Sequence, residues 1–261
     1  MSSLEATGDF AYSDAQHTEK ETNMTYERLF GRRWNEIRGV NIIPGFISTA
    51  DGSCLIECGR TRVICTASIE EKVPAFLENA GLGWLTAEYS MLPASASSRM
   101  TREKVAGSGR TYEIQRLIGR SLRAALDRKK LGLRTITIDC DVIEADGGTR
   151  TASITGGYVA LSLAIRKLMQ SGALDENPIV HQIAAISLGV VHGDMLLDLN
   201  FVEDSSADVD CNLVTTSEGD VIEFQTTAER ALLPSDQLKA MYDLGFEGIR
   251  ALNDIQNKAL S

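Results

Sequence analysis

The chain has 261 residues, 43% of them hydrophobic and 24% charged, with a formal net charge of −10. That is the composition of a soluble protein of one large or two small domains. No stretch approaches the ~18 consecutive apolar residues of a membrane span, and the acidic N-terminus has the layout of neither a secretory signal nor a transit peptide, so a cytoplasmic protein is expected.

Residues 1–24 are polar and rich in Ser, Thr, Glu and Asp. They predict a disordered acidic tail, with Met24 as an alternative start, ahead of a folded body over residues 25–261. A short basic lead-in, Gly31 to Arg38, comes next. Residues 42–48, 54–58 and 62–68 read as strands separated by turns at Asp51-Gly52 and Gly59-Arg60. Another strand, 83–91, ends at Pro93, and the polar, basic stretch 94–109 reads as a mobile loop. Five cysteines, Cys54, Cys58, Cys65, Cys140 and Cys211, form no CxxC pair and stand in apolar runs, which predicts small core residues rather than ligands or disulfides.

A helix is expected from Thr111 to about Leu131, with Ile114, Leu117, Ile118, Leu122 and Ala125 as its apolar stripe. Arg116, Arg120 and Arg123 fall on another face. A solvated row paired with Glu113 and Asp127, an RNA path and a subunit contact all fit that pattern. The segment 99–134 holds 11 basic and 3 acidic residues, a local charge of +8 on a remainder of −18. Such a patch on an acidic body can steer a polyanion, and a partly self-paired helix carries the same charges.

The stretch from Thr135 to Gln170 organises the chain. Ile136, Ile138, Cys140 and Val142 alternate with Thr135, Thr137, Asp139 and Asp141, the signature of a half-buried strand. Asp146-Gly147-Gly148-Thr149-Arg150 then makes a sharp turn into an apolar run over 151–169, long enough to be a central, buried helix stopped near Gly172. A helix start leaves N–H groups unpaired, glycines admit close approach, and Arg150 offers a planar fork for phosphate oxygens. A tight strand-to-helix turn with Arg150 on a surface carboxylate is the plainer reading. No GxGxxG or GxxxxGK[ST] nucleotide loop occurs.

Beyond the helix, 183–191 and 195–200 read as a hairpin, and 209–215 and 221–225 as a second across Ser217-Glu218-Gly219. A last helix begins at Ser235-Asp236 after Pro234 and runs to about Lys258. The phrases ADGSCLIEC and VHGDMLLDL hint at a duplicated β-rich unit. Between the hairpins lies Glu203-Asp204-Ser205-Ser206-Ala207-Asp208-Val209-Asp210. Asp208 and Asp210 are expected on one strand face, about 6–7 Å apart, joined by Asp204 if the serines bend back. That collection suits Mg²⁺, a hard ion with oxygen ligands, and a surface acidic turn would look the same. The three histidines are placed poorly for acid–base RNA cleavage, and there is no GxSxG elbow. If the chain is an enzyme, its nucleophile is not expected to be a side chain.

Three motifs in order, Gly83 to Pro93, Gly109 to Arg120 and Asp139 to Gly156, closely resemble the ribonuclease PH family, as does Glu203-Asp204 to Asp210. The likeness runs from about Gly31 to the C-terminus. It implies an α+β fold, a duplicated βαβα-type unit of the ribosomal protein S5 domain 2-like kind with strands packed around central helices. It also implies that residues 25–261 are the catalytic domain of a homohexamer, a trimer of dimers. The implied activity is phosphorolytic 3′→5′ trimming of RNA, transfer-RNA precursors above all, with inorganic phosphate as co-substrate and Mg²⁺ as cofactor. Carried over onto this sequence, Arg110, Gly148, Thr149 and Arg150 resemble the family's phosphate site. Asp204 and Asp210 resemble its catalytic, metal-associated pair, and Arg99 and Arg102 match a loop associated with RNA. The chain departs from the family at Ala94, where an arginine is usual, and at Ile37-Arg38-Gly39, where Leu-Arg-Pro is usual. These departures bear on transfer-RNA affinity more than on chemistry. A catalytically silent, RNA-binding ring subunit of an exosome-like assembly is the rival reading; a small-molecule kinase should show an ATP-phosphate loop that is absent.

Overall fold

The computed structural model describes residues 26–102 and 108–261. The expected tail and the middle of the 94–109 loop therefore lie outside the described residues. The first half builds a five-stranded sheet from β1 (Val40–Pro44), β2 (Gly52–Cys58), β3 (Thr61–Glu70), β4 (Trp84–Met91) and β5 (Thr135–Glu144), in the order β1-β2-β3-β5-β4. All neighbours are antiparallel except β4 and β5, whose parallel pairing needs the crossover supplied by α1 (Gly109–Arg123). The alternation read from β5 is what the structure shows: Ile136, Ile138, Cys140 and Val142 are buried.

The helix expected over 111–131 is two helices. α1 stops at Arg123, and α2 (Arg128–Leu131) is a single turn capped by the Asp127 side chain, which accepts from the Lys129 N–H at 2.9 Å. The intervening backbone bonds elsewhere: the Asp127 N–H donates to the Pro178 carbonyl, and Ala125 accepts from Val180. An apolar stripe cannot reveal such competition for backbone groups. The first strand is also shorter than expected, because Gly45 turns the chain at φ +68° directly after Pro44.

α3 (Thr149–Gln170) is the expected central helix, buried from Thr151 to Ser162. It lies against β2 and β3 on one side and β6 (Ile183–Val191) on the other. Small residues permit this: a Cβ on Gly156 would stand 2.7 Å from Ile56 Cγ2 and 2.8 Å from Cys65 Sγ. All five cysteines are free and buried, as the apolar runs predict.

The second half continues with β7 (Asp194–Leu197), α4 (Phe201–Ser206), β8 (Val209–Thr216), β9 (Val221–Ala228) and α5 (Gln237–Leu260). Its sheet is antiparallel throughout, in the order β7-β6-β8-β9. Met241, Leu244, Ile249 and Leu252 of α5 join Leu188, Leu197 and Leu213 in a second core. Buried Gln256 ties α5 to both neighbours, its amide donating to the carbonyls of Thr155 and Ile183. The two similar phrases of the sequence fall on β2 and β7, each the second strand of an antiparallel hairpin. The fold is α+β, two sheets around central helices. No helix among the described residues is long and apolar enough to cross a membrane.

Candidate active site

The turn between β5 and α3 forms because Gly147 and Gly148 take the left-handed backbone, φ +78° and +66°. Side chains are disfavoured there, and Gly147 meets a second constraint. A Cβ on it would lie 2.6 Å from the Asn200 carbonyl carbon and 2.7 Å from the Leu199 oxygen. The turn thus sits directly on the chain entering α4, and the Asp146 carboxylate accepts from the Phe201 N–H.

α4 exists because Asn200 and Glu203 form a capping box, each side chain bonding the other's backbone. This corrects the reading of 203–206 as a bending loop, and the helix carries Asp204 back toward the turn. Asp208 does not join it. Its carboxylate accepts from the Gly193 N–H at 3.3 Å, in the β6–β7 turn, and Asp204 is the aspartate whose charge bears on Asp210.

Loss of solvation raises the Asp204 pKa, although its rim is exposed, and the positive charges of Arg110, Arg150 and Arg38 partly offset the rise. Asp210, on β8, is raised by the same loss of solvation and by the negative charges of Asp204 and Glu229, against Arg150. Arg110 and Arg150 thus lie within electrostatic reach of Asp204, and Arg150 and Asp204 within reach of Asp210. Arg150 is held by Glu113 of α1 at 3.5 Å and by Gln225 of β9 at 3.3 Å. The Thr149 hydroxyl bonds the Tyr89 hydroxyl of β4 at 2.9 Å. Burial raises the Tyr89 pKa, while its bond to Thr149 and the charges of Arg110 and Arg150 work against the rise.

Two carboxylates and a buried, unpartnered Asp210 Oδ1 fit a divalent ion that keeps several waters. Among the described residues no group of three His, Cys, Asp or Glu side chains could hold an ion unaided. Arg99 and Arg102 are exposed, Arg102 at the end of the described part of the loop.

Pattern reading missed the support beneath this cluster. Arg28, 3% exposed, reaches both carboxylate oxygens of Glu203 at 2.8 and 2.9 Å. Arg32 bonds Asp198 and Glu203, and Arg38 grips Asp198. Burial opposes ionisation of Asp198 and of Glu203, but Arg38 and Arg32 for the first, and Arg28 for the second, outweigh it and hold both pKa values below the usual range. A signal did exist, since Asp198 stands alone between Leu196-Leu197 and Leu199, and a carboxylate in so apolar a run requires a partner.

Comparison with known proteins shows the family. Residues 36–166 match the 3′ exoribonuclease family, domain 1, and residues 181–248 match its domain 2. The chain is 58% identical over 232 residues to ribonuclease PH of Neisseria meningitidis, covering 88% of this chain and 96% of that one. It is 53% identical over 238 residues to ribonuclease PH of Crocosphaera subtropica, covering 91% and 99%. Its fold is similar to a chain of the Archaeoglobus fulgidus exosome with RNA bound to the active site, with a TM-score of 0.74 at 22% identity, covering 92% and 96%. Matched over both of its domains and at 58% identity to a full-length relative, the chain belongs to the 3′ exoribonuclease family that includes ribonuclease PH.

Proposed function

We propose that the protein is a phosphate-dependent 3′→5′ exoribonuclease that trims the 3′ ends of transfer-RNA precursors and other RNA in the cytoplasm, acting as a homohexameric trimer of dimers. The observation that carries this is the meeting of the Gly148-Thr149-Arg150 turn from the first half with Asp204 and Asp210 from the second. Inorganic phosphate sits on the turn, held by Arg110 and Arg150 and by N–H groups at the start of α3. One of its oxygens attacks the last phosphodiester phosphorus. A new P–O bond forms, the bond to the 3′ oxygen of the penultimate nucleotide breaks, and a nucleoside diphosphate leaves. Asp204 and Asp210 would hold Mg²⁺, which would supply positive charge where charge develops on the leaving oxygen. The protein's own part is positioning and charge stabilisation, as phosphoryl transfer requires. Arg99 and Arg102, both exposed, bind the RNA backbone. A silent ring subunit would be free to lose the phosphate or carboxylate residues, whereas this chain keeps Arg110, Arg150, Asp204 and Asp210.

The test is to incubate the protein with a short RNA, with and without phosphate, and identify the mononucleotide released. Diphosphates should appear only with phosphate, and supplying diphosphates alone should extend the RNA. Monophosphates released in phosphate-free buffer would overturn the mechanism.

A further inference from the structure

Arg38 touches neither Asp204 nor Asp210 by hydrogen bond, yet it joins the parts of the site. Its backbone N–H, Nε and Nη2 engage both Asp198 carboxylate oxygens at 2.7, 3.0 and 2.7 Å. Its Nη1 donates to the Asp146 carbonyl at 2.6 Å, and Nη1 and Nη2 reach the Gly147 carbonyl at 3.5 and 3.4 Å. Thr61 completes the hold, donating to the Gly147 oxygen at 2.7 Å and accepting from the Asp146 N–H at 2.9 Å. In a trans peptide the N–H points opposite to the C=O. Anchoring these two carbonyls therefore turns the N–H groups of Gly147 and Gly148 away from Arg38 and fixes the peptide planes that launch α3.

Asp198 is no passive counter-ion. It sits in the left-handed backbone, φ +54°, with its N–H on the Ser187 carbonyl at 2.7 Å and its own carbonyl on buried Arg28. Arg28 and Arg32 continue to Glu203, the residue that caps α4 beside Asp204. One guanidinium thus couples the turn to the segment that carries the carboxylate.

We propose that Arg38, held by Asp198 and assisted by Thr61, is the positioning residue of the phosphate site, fixing the glycine turn against α4. This rests on the functional reading above. A lysine keeps the charge but lacks the planar fork that serves carboxylate and carbonyls together.

The experiment measures KM for phosphate and for RNA separately, in full-length wild-type, Arg38→Lys, Arg150→Ala and the double variant. Arg38→Lys should raise the phosphate KM about 10-fold and leave the RNA KM within about twofold. Added to Arg150→Ala, it should cost less than about twofold more, because both act through one turn. If Arg38→Lys fails to fold, Thr61→Val should raise the phosphate KM about threefold, with Thr61→Ser restoring it. A normally saturating wild-type whose phosphate KM is unmoved in Arg38→Lys, or in Thr61→Val where the lysine variant fails to fold, would overturn the clamp alone, as would full additivity with Arg150→Ala. A wild-type with no phosphate dependence would overturn the functional reading and the clamp with it.

Discussion

We propose that Arg150 and Asp204 divide the labour of the site between binding and turnover. A charge-assisted hydrogen bond is worth about 1.5–3 kcal/mol, so Arg150→Ala is expected to weaken phosphate use by about 10- to 100-fold. Asp204→Asn is expected to slow turnover with less change in apparent phosphate affinity. Rates against phosphate, RNA and Mg²⁺ for both variants check the split. Asp204 and Asp210 have raised pKa values, so they take up protons at higher pH than free aspartate. Activity should therefore fall as the pH drops through that raised range, and Asp204→Asn should flatten the limb. The same shift has a stability sign. A carboxyl whose folded pKa lies above its unfolded one loses the folded state stability as pH rises between the two values. Asp204→Asn and Asp210→Asn should thus melt slightly higher than wild-type at pH 7, a gain in Tm beside a loss of turnover. Asp198 and Glu203 behave oppositely: their lowered pKa values contribute stability above the ordinary carboxylate range that is lost as pH falls through the folded values.

Among the elements, the β5–turn–α3 unit was legible because each part has a local signature: period-2 alternation, paired glycines, then an apolar run too long for a strand. The α1–α2 break was not legible, since Asp127 and the segment around Pro178 compete for backbone groups through contacts far apart in sequence. The support under the site was hidden for the same reason. Arg28 meets Glu203 across 175 residues and Arg38 meets Asp198 across 160, distances that no periodicity spans. α4 hid behind its serines, although Asn200 followed by Glu203 is a capping box that could have been found. Gly147→Ala is the sharpest test at this scale. The left-handed φ and the 2.6 Å approach to Asn200 leave a Cβ nowhere to go, so α4 must shift. The expected result is loss of most activity with a destabilisation of about 1–3 kcal/mol, read by denaturant melts beside trimming rates. Removing one member of the buried Arg28–Glu203 pair should cost more, about 3–5 kcal/mol, because the other charge is left unpaired in the interior.

Over the whole molecule, charge is segregated: the 99–134 segment is strongly basic and the remainder strongly acidic. Part of the expected arginine row is already occupied. Arg120 pairs with Glu223 at 2.7 Å, while Arg123 lies over the Trp84 ring and donates to the Leu85 carbonyl. Arg99 and Arg102 are exposed. Replacing both with alanine should weaken RNA binding across sequences and make its salt dependence shallower by about two charges, checked by binding titrations at several salt concentrations. We propose that the tail is dispensable. Residues 1–24 are too polar to offset their ordering entropy, so their removal should leave Tm and trimming rate nearly unchanged.

Arg110 on α1 and Arg150 in the first turn of α3 come from the first half of the chain, and Asp204 and Asp210 from the second. In genetic terms they form a single complementation group. An Arg150→Ala copy mixed with an Asp204→Asn copy is expected to restore nothing, because each site draws both halves from its own chain. With the four residues supplied by one chain, the activity of a mixture is expected to track its fraction of wild-type chains, checked by assaying wild-type and variant chains mixed in known ratios.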